Sequence, residues 1–415
     1  ARCEAGHRPS EKQLRALFDV RGDAFNFVLQ AADSMRRSVV GDDVTFVVNR
    51  NINYTNVCTF GCLFCAFSKR GKNTCSTERA YDIPGQELAR RSKEAWQRGA
   101  TEVCLQGGIH PDYTGETYVD IVSTVRQAVP DIHIHAFSPL EIMHGAKSMD
   151  LKIADFLFTL KEAGLNTLPG TAAEILHEEV RSVLCPDKLT SDEWLDVMRT
   201  AHKIGFRTTA TIMFGHVDSS KHWAAHLLKV RDLQADTGGF TEFVPLPFVA
   251  AEAPAFYRGF VRKGPTWREA LLMHAVPRLA FSGKIDNIQV SWVKMGQAGA
   301  AACLNAGAND LGGTLMNESI TRAAGAKHGQ EWQVSDLVSV IKTAARIPSQ
   351  RTTLYESAPP ERVRASRDAI ELLPIVNQPA NKKAISKLIT PKHCGAEEGY
   401  LKRNSDQVFL MAASN

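Results

Sequence analysis

Apolar residues return at helical spacing between residues 11 and 35, with Leu14, Leu17, Phe18, Phe25, Val28 and Leu29 on one face, and predict an opening helix. Beyond it, short apolar runs alternate with longer amphipathic ones. The runs at 45–48, 102–105, 132–137, 165–168, 207–213, 240–244, 288–292 and 311–314 predict strands. Residues 85–98, 116–128, 191–204 and 221–237 between them carry helical patterns. Eight β-then-α units predict an α/β fold of the (β/α)8 TIM-type barrel kind, in preference to an open doubly wound sheet. The expected division is an N-terminal helical extension over 1–40, the barrel over 41–355 and a C-terminal appendage over 356–415. The appendage opens on Ala358-Pro359-Pro360, and its low apolar density predicts a partly helical stretch at 361–372 and poor order elsewhere.

Composition narrows the class without choosing a function. An apolar fraction of 44% and a charged fraction of 23% are those of a soluble globular chain. A formal net charge of +4 over 415 residues argues against a nucleic-acid footprint or a polybasic membrane surface. With no apolar run of about 18 residues, no membrane span is expected. Residues 1–7 lack the apolar core of a signal peptide, and the start at Ala1 leaves upstream processing or truncation open.

The cysteines change the picture. Of nine, three crowd into one window, while Cys3, Cys75, Cys104, Cys185, Cys303 and Cys394 are scattered. That is not a disulfide framework, and a cytoplasmic or other reducing soluble compartment is expected. The window is Cys58-Thr59-Phe60-Gly61-Cys62-Leu63-Phe64-Cys65, just past the first predicted strand. Thiolates ligate iron–sulfur clusters, and three of them leave one iron of a 4Fe-4S cluster open to a small molecule with an amine and a carboxylate. S-adenosylmethionine is such a molecule, and its reductive cleavage would make the protein a radical enzyme. The competing reading is a zinc-binding, non-catalytic scaffold, with His7 or His110 as fourth ligand.

Other motifs sit at further strand ends, where a parallel barrel builds its active site. Gly107 and Gly108 let the backbone approach a ligand closely, although a Gly-Gly pair is also an ordinary turn. Gly170-Thr171-Ala172-Ala173-Glu174 is expected to open a helix. Glu174 there either compensates the helix dipole or accepts from a cofactor's ribose hydroxyls or ammonium, with Arg181 further on as a carboxylate contact. The stretch from Asn305 to Gln330 gathers short polar side chains around glycines, which suits a polyhydroxylated or heterocyclic substrate or else reflects turn chemistry. His133 and His135 share one strand face, as site residues or as a satisfied core pair, and His216, His222 and His226 receive no role.

Taken together, Asn51-Ile52-Asn53-Tyr54-Thr55-Asn56-Val57-Cys58 with its cysteine window, and Gln106-Gly107-Gly108-Ile109-His110-Pro111, resemble a subgroup of the radical S-adenosylmethionine superfamily. That subgroup includes aminofutalosine synthase of the menaquinone pathway and the two halves of FO synthase. Ser291-Trp292-Val293-Lys294-Met295-Gly296 and the stretch 312–330 look most like the tyrosine-using half, the 5-amino-6-(D-ribitylamino)uracil–tyrosine 4-hydroxyphenyl transferases. The likeness covers about residues 10–355 and implies Cys58, Cys62 and Cys65 as cluster ligands. It further implies Phe64 packing on adenine, Gly107 and Gly108 at the methionine amine, and Glu174 and Arg181 as cofactor contacts. Substrate contacts would fall among Ser138, Asn309, Asn317 and Glu318. The implied activity cleaves L-tyrosine and transfers its 4-hydroxybenzyl group to 5-amino-6-(D-ribitylamino)uracil, releasing 2-iminoacetate and 5′-deoxyadenosine. It serves synthesis of the deazaflavin of coenzyme factor 420, and the implied partners are the ring-closing companion half and an electron donor.

Overall fold

The computed structural model describes residues 8–69, 79–375 and 377–381. Cys3, His7, Cys75, Cys394 and the appendage beyond 381 lie outside the described residues. The opening helix is two, Glu11–Phe18 and Gly22–Val40. Arg21 is extended and Gly22 has φ +54°, a backbone state that glycine adopts without strain, so the chain turns there. Leu14 and Phe18 are buried, Phe18 edge-on to Trp223 of the helix Ser220–Thr237 at 5.1 Å. The second helix packs on the helix Trp267–Ala280 and lies over Gly307, where a Cβ would meet Ala32 at 3.0 Å.

Among the described residues nine strands follow: β1 (Asp43–Val47), β2 (Asn49–Asn53), β3 (Glu102–Gln106), β4 (His133–Ala136), β5 (Thr167–Leu168), β6 (Arg207–Phe214), β7 (Phe240–Pro247), β8 (Asp310–Gly313) and β9 (Ile347–Arg351). β2 to β7 form a curled six-stranded parallel sheet in chain order, and β8-β1-β9 form a second parallel sheet. Single parallel bridges at Phe243–Ile288, Gln289–Asp310 and Arg50–Met316 join the two sheets into a barrel. The predicted first strand is thus two, broken at Val48. The seventh shrinks to bridges at Ile288 and Gln289, because Trp292 already begins the helix Trp292–Leu304. β9 was not predicted: Ile-Pro-Ser-Gln-Arg has no alternation, and Pro348 is tolerated because the strand lies at a sheet edge. Among the described residues no helix is long and apolar enough to cross a membrane.

Strand alternation sets the character of the two barrel surfaces. On β3, Val103 and Leu105 are fully buried among the hydrophobic residues, while Glu102, Cys104 and Gln106 line the lumen. The same holds for Ile52 against Asn49 and Asn51, and for Ala210 and Ile212 against Thr209 and Thr211. The result is an apolar jacket and a polar interior. β9 brings Arg351 into that interior at the N-terminal end, where it grips Asp310 through Nε at 2.6 Å and Nη2 at 2.9 Å. Tyr355 stacks on the guanidinium at 3.9 Å and donates to Glu242, while Thr353 donates to Glu102 at 2.8 Å. Buried charges persist only when paired and hydrogen-bonded, and this floor meets that condition.

Candidate active site

The cysteine window leaves the C-terminal end of β2 as a loop held from three sides. Thr59 N–H donates to Ile109 O at 2.9 Å, Leu63 N–H to Leu184 O at 2.8 Å and Gly61 N–H to Asp187 at 2.7 Å. Ala255 N–H in turn donates to Leu63 O at 2.8 Å. Cys58, Cys62 and Cys65 are free thiols at the wall of a cavity of about 260 Å³, and burial pushes the Cys62 and Cys65 thiols up. His110 stacks on Tyr113 at 4.7 Å, its Nδ1 accepts from Asp112 N–H at 3.1 Å, and it is not part of the cavity lining.

Gly107 and Gly108 face this loop. A Cβ on Gly108 would lie 2.2 Å from the Val57 carbonyl oxygen, and one on Gly107 would lie 2.2 Å from the Tyr54 ring. Only glycine allows that approach. The turn is fixed by Gly108 N–H to Thr55 O at 2.9 Å and Gly107 N–H to Glu141 at 3.3 Å. Glu141, missed in the sequence, also accepts from Ser138 Oγ at 2.6 Å and from Tyr54, and burial still raises its carboxyl. Ser138 caps the helix Pro139–Ser148 at the cavity wall. Its capping box with Glu141 was readable as Ser138-Pro139-Leu140-Glu141.

Glu174 does not open a helix. The helix begins at Glu178, and Glu174 sits in the preceding loop at φ +45°. Its carboxylate lines the cavity and takes a 2.7 Å ion pair from Lys188, which lies 5.4 Å from the centre of the Phe64 ring. Arg181 does not reach the cavity. Its guanidinium donates to Ala173 O at 2.6 Å, Ala172 O at 3.3 Å and Leu189 O, so it shapes the Glu174 loop from behind. Asn309 is also elsewhere: at the entry to β8 it accepts from Arg278 at 2.6 Å and Ile288 N–H at 2.9 Å, on the floor side. Asn317 turns to Arg50, which donates to it at 2.5 Å. Glu318 alone of the late-strand residues named above faces the interior, beside Lys294, Gln289 and Ser291.

Beneath the first cavity lies a second, also of about 260 Å³, inside the barrel. The two share Gln106, Thr171, Thr211, Leu246, Lys294, Ile320 and Thr321 as a common wall. The inner chamber was legible only as the polar half of each strand. His133 and His135 both bond the Thr167 hydroxyl, at 2.8 and 2.7 Å, which is the satisfied-pair outcome, although His135 also touches the chamber. Outside this region His177, Glu179 and His222 approach one another within 4.8 Å. There His177 Nδ1 accepts from Glu179 N–H at 3.3 Å, His222 Nδ1 accepts from Ser219 N–H at 3.1 Å, and His222 Nε2 lies 3.1 Å from the Glu179 carboxylate.

The radical SAM superfamily profile matches residues 52–230, and the CofH/MqnC C-terminal region matches residues 237–363. A 5-amino-6-(D-ribitylamino)uracil–L-tyrosine 4-hydroxyphenyl transferase of Methanopyrus kandleri is 50% identical over 329 residues, 79% of this chain and 88% of the relative. FO synthase of Streptomyces coelicolor is 48% identical over 372 residues, 89% of this chain and 42% of the relative. The chain therefore spans about two fifths of the length of such FO synthases. Among solved structures, methylornithine synthase superposes with a TM-score of 0.65 at 19% identity, covering 84% of this chain and 96% of the other. The FeFe-hydrogenase maturase HydG from Carboxydothermus hydrogenoformans gives 0.67 at 13% identity, covering 99% and 92%. These two likenesses concern the fold.

Proposed function

Because the chain belongs to the radical S-adenosylmethionine superfamily, in the family of FO synthases and their separate 4-hydroxyphenyl transferases, we propose that it is the tyrosine-using enzyme of deazaflavin synthesis. It cleaves the Cα–Cβ bond of L-tyrosine and transfers the 4-hydroxybenzyl group to 5-amino-6-(D-ribitylamino)uracil, with 2-iminoacetate and 5′-deoxyadenosine as the other products. The observation that carries this reading is the contact of the Gly107-Gly108 turn with the cysteine loop, at the mouth of a polar barrel interior. The activity for which the Methanopyrus kandleri relative is named supports the choice of substrates.

Cys58, Cys62 and Cys65 would hold a 4Fe-4S cluster that, with S-adenosylmethionine bound, supplies a hydrogen-abstracting radical. Gly107 and Gly108 line the same cavity as that loop, where their backbone would meet the methionine amine and the Phe64 ring would meet the adenine. Glu174, held by Lys188, would offer its carboxylate to ribose hydroxyls. The floor built on Arg351 and Asp310 closes the chamber at the far end, so substrates enter from the cysteine side. An electron donor and a ring-closing companion enzyme complete the proposed setting. Anaerobically reconstituted protein should form 5′-deoxyadenosine only when tyrosine is present. Formation that instead depends on a futalosine-pathway substrate overturns the reading.

A further inference from the structure

Where the two cavities meet, three residues form an arrangement that the barrel itself does not require. Glu318 is buried, and its Oε1 accepts from Thr321 N–H at 2.8 Å. Its Oε2 is buried with no hydrogen-bond partner. An unmatched carboxylate oxygen in a protein interior is costly, and native structures keep such groups for a ligand or a bound water. Across from it, Lys294 rises from the first turn of the helix Trp292–Leu304 and lines both cavities. Its Nζ makes one long hydrogen bond, 3.3 Å, to Thr321 Oγ1, which leaves two of its three donors open. Lys294 and Glu318 attract each other, yet among the described residues they form no ion pair. Thr321 engages both, Glu318 through its N–H and Lys294 through its hydroxyl.

We infer that Lys294 and Glu318 are the two ends of a clamp for the zwitterionic head of the amino-acid substrate, Lys294 on its carboxylate and Glu318 Oε2 on its ammonium. The inference rests on the tyrosine reading above and adds residue roles to it. An α-amino acid carries both charges on one carbon, which matches a separated lysine and carboxylate sharing one spacer. A ribitylated uracil presents neutral donors and acceptors, and the uncharged side chains deeper in the chamber, Asn49, Thr209 and Gln289, match those. Because Lys294 and Thr321 also border the outer cavity, the clamp places the amino end of the substrate on the cysteine side. The ring then points toward the inner chamber, where the acceptor lies.

The test uses the reconstituted, full-length enzyme and two analogues as inhibitors of tyrosine turnover: tyramine, which lacks the carboxylate, and 3-(4-hydroxyphenyl)propanoate, which lacks the ammonium. Each lost charge-assisted contact should weaken binding to the wild type about 10- to 100-fold relative to tyrosine. Lys294→Met should erase the gap between tyrosine and tyramine, and Glu318→Gln the gap between tyrosine and the propanoate. The KM for the ribitylaminouracil should stay unchanged in both, and visible cluster absorbance reports that each variant is folded. If a variant loses that absorbance, Lys294→Gln or Glu318→Asp takes its place. Variants that raise the KM of the ribitylaminouracil and leave the analogue gaps intact overturn the clamp alone. A wild-type enzyme that does not turn over tyrosine overturns the substrate reading itself.

Discussion

Gly108 approaches Val57 so closely that a single added methyl group would sit 2.2 Å from the Val57 carbonyl oxygen. That contact ties the end of β3 to the start of the cysteine loop, and it converts a pair of adjacent glycines into a statement about the site. Replacing Gly108 by Ala must push one of the two loops away, and forced overpacking of this kind costs about 1–3 kcal/mol. The expected outcome is a lower melting temperature together with less iron retained per chain after anaerobic reconstitution. Wild-type values for both would show that the two loops are not in contact.

Cysteine substitutions should separate the window from the rest. Cys58→Ala, Cys62→Ala and Cys65→Ala should each abolish the dithionite-bleachable visible absorbance of reconstituted protein. Cys303→Ala, a buried core thiol away from the window, should keep it. Loss in the core variant with retention in any window variant would reassign the ligands.

The barrel floor makes a stability prediction independent of any cofactor. Arg351 is buried between Asp310 and Glu242, and removing one partner of a buried ion pair is typically destabilising by about 3–5 kcal/mol. Arg351→Met should lower the denaturant midpoint accordingly. A loss below about 1 kcal/mol would mean that water already reaches these charges.

Glu242 gives that floor a pH dependence. Burial pushes its carboxyl up to about 7, with Asp310 adding to the rise and the Arg351 guanidinium opposing it. The folded chain therefore keeps a proton that the unfolded chain releases near the ordinary value of 4.5. Stability contributed at this position should fall as pH rises from about 4.5 to about 7 and level off above. Melting curves of the wild type and Glu242→Gln across that range check the sign: the difference, wild type minus variant, should decrease with pH. A flat or rising difference contradicts it.

Much of this was legible in the sequence because the signals were local. Strand and helix periodicity gave the barrel, and the spacing of Cys58, Cys62 and Cys65 gave the chemistry. Local signals failed where a third partner decided the outcome. Glu174 precedes a helix in sequence, but Arg181 binds the carbonyls of Ala172 and Ala173 and keeps the chain in a loop. Asn309 and Asn317 carry the same short amides as a binding loop, yet Arg278 and Arg50 claim them from distant helices and strands. β9 has almost no strand pattern and is held by its register against β1. Lys294 was visible inside Ser291-Trp292-Val293-Lys294, but nothing along the chain shows that it shares Thr321 with Glu318.

The most direct test of the central claim follows the tyrosine ring. Reconstituted enzyme is incubated anaerobically with a reductant, S-adenosylmethionine, ring-labelled L-tyrosine and 5-amino-6-(D-ribitylamino)uracil, and the products are read by mass spectrometry. The account predicts 5′-deoxyadenosine together with the ring label covalently attached to the ribitylaminouracil. Label that stays in tyrosine, or leaves it without joining the uracil while the cluster is intact, would contradict it.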